Sequence, residues 1–451
     1  MKSLSADNLE KLTLFWGSLP PEIRKRVLGA AARAAEHDAG QAGLSSLLTL
    51  LEQKAQPDPA ELKKKRLFAP LVSLTGDPEN DPPSRAYFSP TFLNALWSWL
   101  DTSMEGGVAG SLPEPDAPAE DWAAIRAETG ARICACLDAA EGDRKLESRL
   151  VSLWGAGGAE TARQAATLLV HHSVLDQAMA GIPEEITDFD PDMCTQMRDA
   201  YETVIDTHPE AGVWLLIILM TRLKKTAQIF RAIAKIGRRE DDQLISKTDL
   251  ASVGDAVLKD AEFYATRFRR APQNLAEAED AIAGLASFVT VTVGMTREFG
   301  IRKDGRWGKT LFALRAQTSG DLEKLFSNTP KVLEAALPVP RKGADRTMQP
   351  VEPADEAIIA RAEAQLRFLG AAGDWASQAA IGSVQKKAED GAISALEDCF
   401  GHIINILQHS EGETQLLASA GLDVIARLQE ALGQDESASL TRRRNAAALA
   451  A

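Results

Sequence analysis

Apolar side chains recur at intervals of three and four residues along almost the whole chain, the spacing that lines one face of an α-helix. Stretches that alternate apolar and polar at every second residue are nearly absent. Abundant Ala and Leu point the same way, because neither loses much side-chain freedom on entering a helix. In the first hundred residues the pattern predicts helices over Asp7–Trp16, Pro20–Glu36 and Ala39–Gln53. A proline-bearing stretch, Gln56–Ser89, follows. Ser89 then caps and Pro90 opens a helix carrying Phe92, Leu93, Leu96, Trp97 and Leu100. Trp97 and Trp99 fall on different faces of it, so one is expected in the core and the other against a neighbouring element. One segment is ambiguous: Phe288–Val293 alternates like a strand, while Ile282, Leu285, Val289, Met295 and Phe299 fit a helical face. Helix is the expectation, since a lone strand would have no partner.

Two stretches cannot continue a helix. Asp101–Ala119 combines Gly106, Gly107 and Gly110 with Pro113, Pro115 and Pro118, and Pro338–Pro353 is again rich in proline and holds Gly343. They divide the chain into an N-terminal helical segment (1–100), a linker (101–119), a central helical bundle (120–337), a second linker (338–353), a C-terminal helical segment (354–435) and a frayed tail (436–451). The expected fold class is all-α, an irregular multi-helix bundle or stacked helical hairpins in two or three units. No fixed repeat period marks a solenoid family.

Composition narrows the function. The 451 residues carry 50 Lys and Arg against 64 Asp and Glu, a formal charge of −14, which disfavours a nucleic-acid backbone as the main partner. The first residues have no continuous apolar stretch with a small-residue cleavage site, and the longest apolar run is Val213–Met220, far short of the ~20 residues that span a bilayer. A cytoplasmic protein is expected. Cys134, Cys136, Cys194 and Cys399 are few and scattered, with no Cys-x-x-Cys, and read as free thiols.

Several spacings invite chemistry. Asp188, Asp190, Asp192 and Asp199 stand at positions 1, 3, 5 and 12 of a calcium-binding hand, but the glycine required at position 6 is Met193 and Pro191 stiffens the loop. A helix start with Asp190 as cap and Pro191 as first residue explains the same residues better. Gly308, Lys309 and Thr310 resemble the end of a phosphate-binding loop, yet the first glycine that loop needs is Lys303. His171 and His172 have Asp176 nearby but no visible third ligand. Cys399, His402 and His409 are spread too far along one helix for a single metal. These histidines are expected to be structural or surface residues, and no metal, cofactor or catalytic constellation is expected.

The strongest anomaly is Val213–Arg239, which holds no acid and seven bases: Arg222, Lys224, Lys225, Arg231, Lys235, Arg238 and Arg239. Its first half is apolar all round and should be buried. Its second half, 222–239, reads as a cationic amphipathic helix suited to a partner's acidic groove. A competing reading places these bases near helix ends simply to complement the helix dipole. The basic loop Arg302, Lys303, Arg306 and Lys309, with Trp307 in its middle as an exposed aromatic, is a second candidate surface. The resulting expectation is a non-catalytic adaptor or scaffold acting through protein contacts. Binding of a membrane surface or anionic ligand through the same helix and loop is the alternative.

Overall fold

The computed structural model describes residues 59–104, 107–342 and 348–450, with scattered positions between 15 and 48. The helices expected over Asp7–Trp16, Pro20–Glu36 and Ala39–Gln53 fall largely outside the described residues. The fold is all-α: helix follows helix, and the described strands are two antiparallel two-residue pieces, β1 (Arg341–Lys342) and β2 (Met348–Gln349). The chain forms two compact units, one of residues up to Val72 with Thr91–Val170, the other of Ser73–Pro90 with His171–Ala451.

In the first unit, α1 (Pro59–Leu67) starts on a proline, whose missing N–H is one the first helical turn leaves unpaired anyway. α2 (Pro90–Ser103) buries Phe92, Leu93, Leu96 and Leu100. Trp97 and Trp99 are both half-buried, and each meets an aromatic edge-to-face, Phe68 at 6.3 Å and Trp154 at 5.4 Å. The stretch 101–119 is not a free linker. It holds a helical turn, α3 (Val108–Ser111), with Val108 and Leu112 buried, and the Lys63 ammonium donates to the Ala109 and Leu112 carbonyls, both at 3.2 Å, and to Glu114. In α4 (Ala119–Ala140), Arg126 donates to the Arg66 and Leu67 carbonyls at 2.6 and 3.2 Å, satisfying acceptors that the end of α1 leaves open. Gly130 is where α4 passes closest to α6 (Gly158–Ala178): a Cβ there would meet the Ala166 carbonyl oxygen at 2.8 Å. Between them, α5 (Arg144–Trp154) is capped by Asp143, which accepts from the Lys145 and Leu146 amides.

The second unit begins with the clasp 73–90, where Thr75 pairs with Phe88. It continues with α7 (Pro191–Thr207), a 3₁₀ turn over Pro209–Ala211, α8 (Gly212–Arg222), a 3₁₀ turn over Thr226–Gln228, α9 (Ile229–Gly237), α10 (Asp242–Ile245) and α11 (Ala251–Thr266). α12 (Leu275–Glu298) absorbs the ambiguous Phe288–Val293 as helix; its length and apolar composition reflect packing against α11 and α15 (Glu356–Ala371). Asn274 caps it by accepting from the Glu277 amide at 3.0 Å. α13 (Arg306–Ser327) and α14 (Thr329–Ala336) lead to α15, and α16 (Gly382–Gln408), α17 (Glu413–Ala431) and α18 (Asp435–Leu449) complete the unit.

Two boundaries differ from the sequence-based expectation. The stretch 338–353 separates no domain, since both its flanks lie in the second unit and Pro338 is buried against Gly421. The tail expected to fray from residue 436 is, through Leu449, part of α18, which packs on α17 and buries Ala438, Thr441 and Asn445. Gly433 makes this return, adopting φ 84° so that the Gln434 amide reaches the Gln429 carbonyl and the Gly433 amide that of Glu430, the Schellman closure of a helix end.

Candidate functional site

The apolar start of the basic segment is buried as its pattern demands, with Trp214, Leu215, Leu216, Ile217, Leu219 and Met220 inside α8. The continuous basic helix expected over 222–239 does not form. Leu223 is extended and pairs with Ile186, so that the Ile186 amide donates to Arg222 at 2.8 Å and the Lys224 amide to Ile186 at 2.9 Å. These bridge bonds occupy backbone groups that a continuing helix would need. Helix resumes only as α9, which buries Ile229, Phe230, Ala232 and Ile233 and turns Arg231 and Lys235 outward. It ends on Arg238 in the left-handed region, at φ 53°, a conformation usually left to glycine.

Several of the predicted bases are engaged within the unit. The Arg222 guanidinium donates to the Ile182 carbonyl at 2.6 Å, and Lys224 pairs with Glu185. Arg231 donates to Glu298, to Asp188 at 3.0 Å and to the Phe189 carbonyl at 2.7 Å. Burial raises the Glu298 carboxyl, but the hydrogen bonds from Arg231 and Arg297 outweigh it and hold the group below its usual value. Arg238, largely exposed, pairs loosely with Glu202 at 3.5 Å. Lys225, Lys235 and Arg239 are exposed and make no ion pair among the described residues.

Arg231, Lys235, Arg238 and Arg239 line one open cleft of about 640 Å³. Phe189, Pro191 and Ala234 give it an apolar component, and Glu240 and Glu298 are the carboxylates on its wall, so cations outnumber anions four to two. Cys194 also borders it, with a thiol that burial pushes up to about 11, well away from nucleophilic thiolate. Asp190 caps α7 by accepting from the Asp192 and Met193 amides, Asp188 serves Arg231 and Gln228, and Asp199 binds Arg198. Three of the four aspartates of the calcium-like spacing are thus committed to separate tasks, and Asp192 sits in the first turn of α7.

At the second basic locus the groups that a phosphate-binding loop would offer largely have internal partners. Trp307, expected on the surface, is fully buried, with Nε1 donating to Asp255 at 3.0 Å and its ring against Phe230 and Phe299. Arg306 is held by Asp255 and by the Ser246 carbonyl. The Gly308 amide, which a phosphate would claim, faces the buried Asp242 carboxylate at 3.4 Å. Arg302 pairs with Asp304, and Lys303 lies over the Phe312 ring. Lys309 is exposed.

The histidines separate into two kinds. His402 and His409 sit against carbonyls of their own helix four residues back, Asp398 and Asn405, as surface residues. His171 instead meets two residues that its sequence neighbourhood does not contain. Its Nε2 stands 2.8 Å from a Glu210 carboxylate oxygen, and its ring is 4.8 Å from that of His208. Burial pushes the His171 imidazole below its usual value, with Glu210 opposing and His208 adding to the effect. His172, beside it, is buried. The sequence signal for this cluster is the His208-Pro209-Glu210 run, in which a helix end and a proline-started turn present two donors together.

No known protein family matches the chain, and no curated protein or solved structure shows significant similarity to it.

Proposed function

We propose that the protein is a non-catalytic helical binding protein, an adaptor or scaffold, that receives an acidic segment of a partner protein in the cleft between α7 and α9. The observation that carries this reading is the placement of Lys235 and Arg239, two cations without an internal counter-charge among the described residues, on a cleft with an apolar component. A carboxylate-bearing chain gains both apolar burial and charge pairing there, and in a protein of net charge −14 such a local field gives orientation and on-rate. The site is open and lacks the converging buried donors that fix a small anion, which favours an extended chain as occupant. A membrane surface fits less well, because the apolar face of α9 is already spent on Ile229, Phe230 and Ile233 inside the unit.

The test is fluorescence anisotropy with a labelled peptide alternating Glu and Leu, titrated with the full chain at low and high salt. Binding that weakens with salt and is lost in the Lys235→Glu, Arg239→Glu double variant, but kept in Lys225→Glu, supports the proposal. Binding indifferent to the double variant, or none at low salt, refutes it. Anionic vesicles added in place of the peptide should leave the protein in solution.

A further inference from the structure

We propose that His171, His208 and Glu210, all within the second unit, form a binding site for a divalent transition-metal ion, Zn²⁺ by preference, that ties the segment starting at His171 to the turn after α7. The three residues each offer one ligand atom, and all of these atoms lie within 4.8 Å of one another. Donors bound tetrahedrally at 2.0–2.1 Å from zinc stand about 3.3 Å apart. The His171–Glu210 separation of 2.8 Å is shorter than that value and the widest separation in the set, 4.8 Å, is longer, so an ion would spread the first pair and draw the set together around itself.

The local fold prepares this set. α7 ends at His208, whose amide closes on the Val204 carbonyl, and Pro209 starts a 3₁₀ turn that carries Glu210. Gly212 follows where a Cβ would stand 2.5 Å from Ile205, so this turn is pressed against α7 and its two donors are held in place. His171 reaches them from α6 with only 11% of its side chain exposed, while Glu210 is 55% exposed. One side of the cluster is therefore shielded and the other open to solvent, which leaves a fourth position for water.

Two imidazoles and one carboxylate are the ligand types zinc takes in open sites, and imidazole selects against Mg²⁺ and Ca²⁺, which prefer oxygen. Without metal the same contacts are only a hydrogen-bonded His–Glu pair beside a second ring. An ion bound to the folded chain would add stability by mass action, since the unfolded chain does not hold these residues together.

The experiment uses the untagged, chelator-stripped full chain. Isothermal titration with ZnCl₂ should give one site per chain, and zinc should raise the melting temperature. Co²⁺ should produce the visible bands of a low-coordinate nitrogen and oxygen site, without the thiolate charge transfer that binding at Cys134 and Cys136 would show. His208→Gln and Glu210→Gln should each weaken zinc at least tenfold. Glu210→Gln is the safeguard for folding, because that side chain is half in solvent, and its metal-free melting temperature should match that of the parent chain. Failure to bind zinc, binding that survives both substitutions, or a cobalt spectrum dominated by thiolate would overturn the assignment.

Discussion

The guanidinium of Arg231 donates from Nε to the Glu298 carboxylate at 2.6 Å, and that carboxylate is only 6% exposed. The base most central to the cationic segment is therefore a structural counter-ion first and a cleft residue second. Arg231→Glu would set a carboxylate against Glu298 and Asp188 and remove the donor to Phe189. The expected cost is about 2–4 kcal/mol, towards the low side for a buried pair because Arg231 keeps roughly a third of its surface in water. Lys235→Glu with Arg239→Glu should change stability by less than ~0.5 kcal/mol each, as exposed substitutions without partners do. Urea melts of the two variants separate the roles. Equal losses would mean that the cleft cations are structural throughout.

A second expectation concerns the clasp 73–90. The Ser84 amide donates to Asp260 Oδ1 at 2.9 Å, while Oδ2 is buried with no hydrogen-bond partner among the described residues. Burial lifts the Asp260 carboxyl to about 6, against the pull of the Ser84 hydrogen bonds. The folded chain thus holds this proton more tightly than the unfolded chain, whose carboxyl titrates near 3.8. Its contribution to stability is greatest below that value, and is lost as pH rises through about 6. The difference amounts to on the order of 3 kcal/mol. Asp260→Asn keeps the acceptor for Ser84 and removes the charge. It should raise stability near neutral pH and have little effect under acid conditions. A variant curve parallel to the parent's across this range would show that Asp260 does not titrate there.

These two cases, partners 67 and 176 residues apart, mark where the sequence stops being legible. Helical periodicity identified the all-α fold, the start of α2 at Pro90, the burial of α8 and the helical state of Phe288–Val293, because each depends on local spacing alone. The Asp190 cap was legible for the same reason. Partners far apart in sequence were not. Arg231 looked free because Glu298 lies 67 residues away, and Trp307 looked exposed because its place is made by Gly254, where a Cβ would stand 2.3 Å from the indole. The Leu223–Ile186 pairing that breaks the basic helix left no periodic trace either. Proline and glycine in 101–119 and 338–353 marked where helices stop, which is a weaker statement than where compact units divide.

The Trp307 region carries a third expectation. The indole is fully buried and hydrogen-bonded to Asp255, so Trp307→Ala should cost about 3–5 kcal/mol through the cavity it leaves. Gly254→Ala drives a methyl group into the same ring and should cost about 1–3 kcal/mol. Because Asp242 already faces the Gly308 amide, millimolar magnesium nucleotide should leave the melting temperature unchanged. A nucleotide-dependent rise abolished by Lys309→Ala would contradict that arrangement.

The C-terminal helix gives the last expectation. α18 is rich in charged and small residues and has a weak apolar face, yet its polar groups are bound to α17. Thr441 donates to the Gln429 side chain at 2.8 Å, and Asn445 donates to the Ser419 carbonyl at 3.2 Å and to Asp423 at 3.0 Å. Arg442 pairs with Glu430 outside them, where solvent screens the charge. Removing residues from Asp435 onward would strip these partners from a face of α17 that is otherwise closed. Water takes up the freed acceptors, and the newly exposed apolar surface is worth about 2–4 kcal/mol. Gly433→Ala is the finer probe, since a side chain at φ 84° strains the closure and should cost about 1 kcal/mol while leaving every α18 contact intact. Chemical denaturation of the truncated chain and of the point variant measures both. A truncated chain as stable as the full one would show that α18 rests on α17 without supporting it.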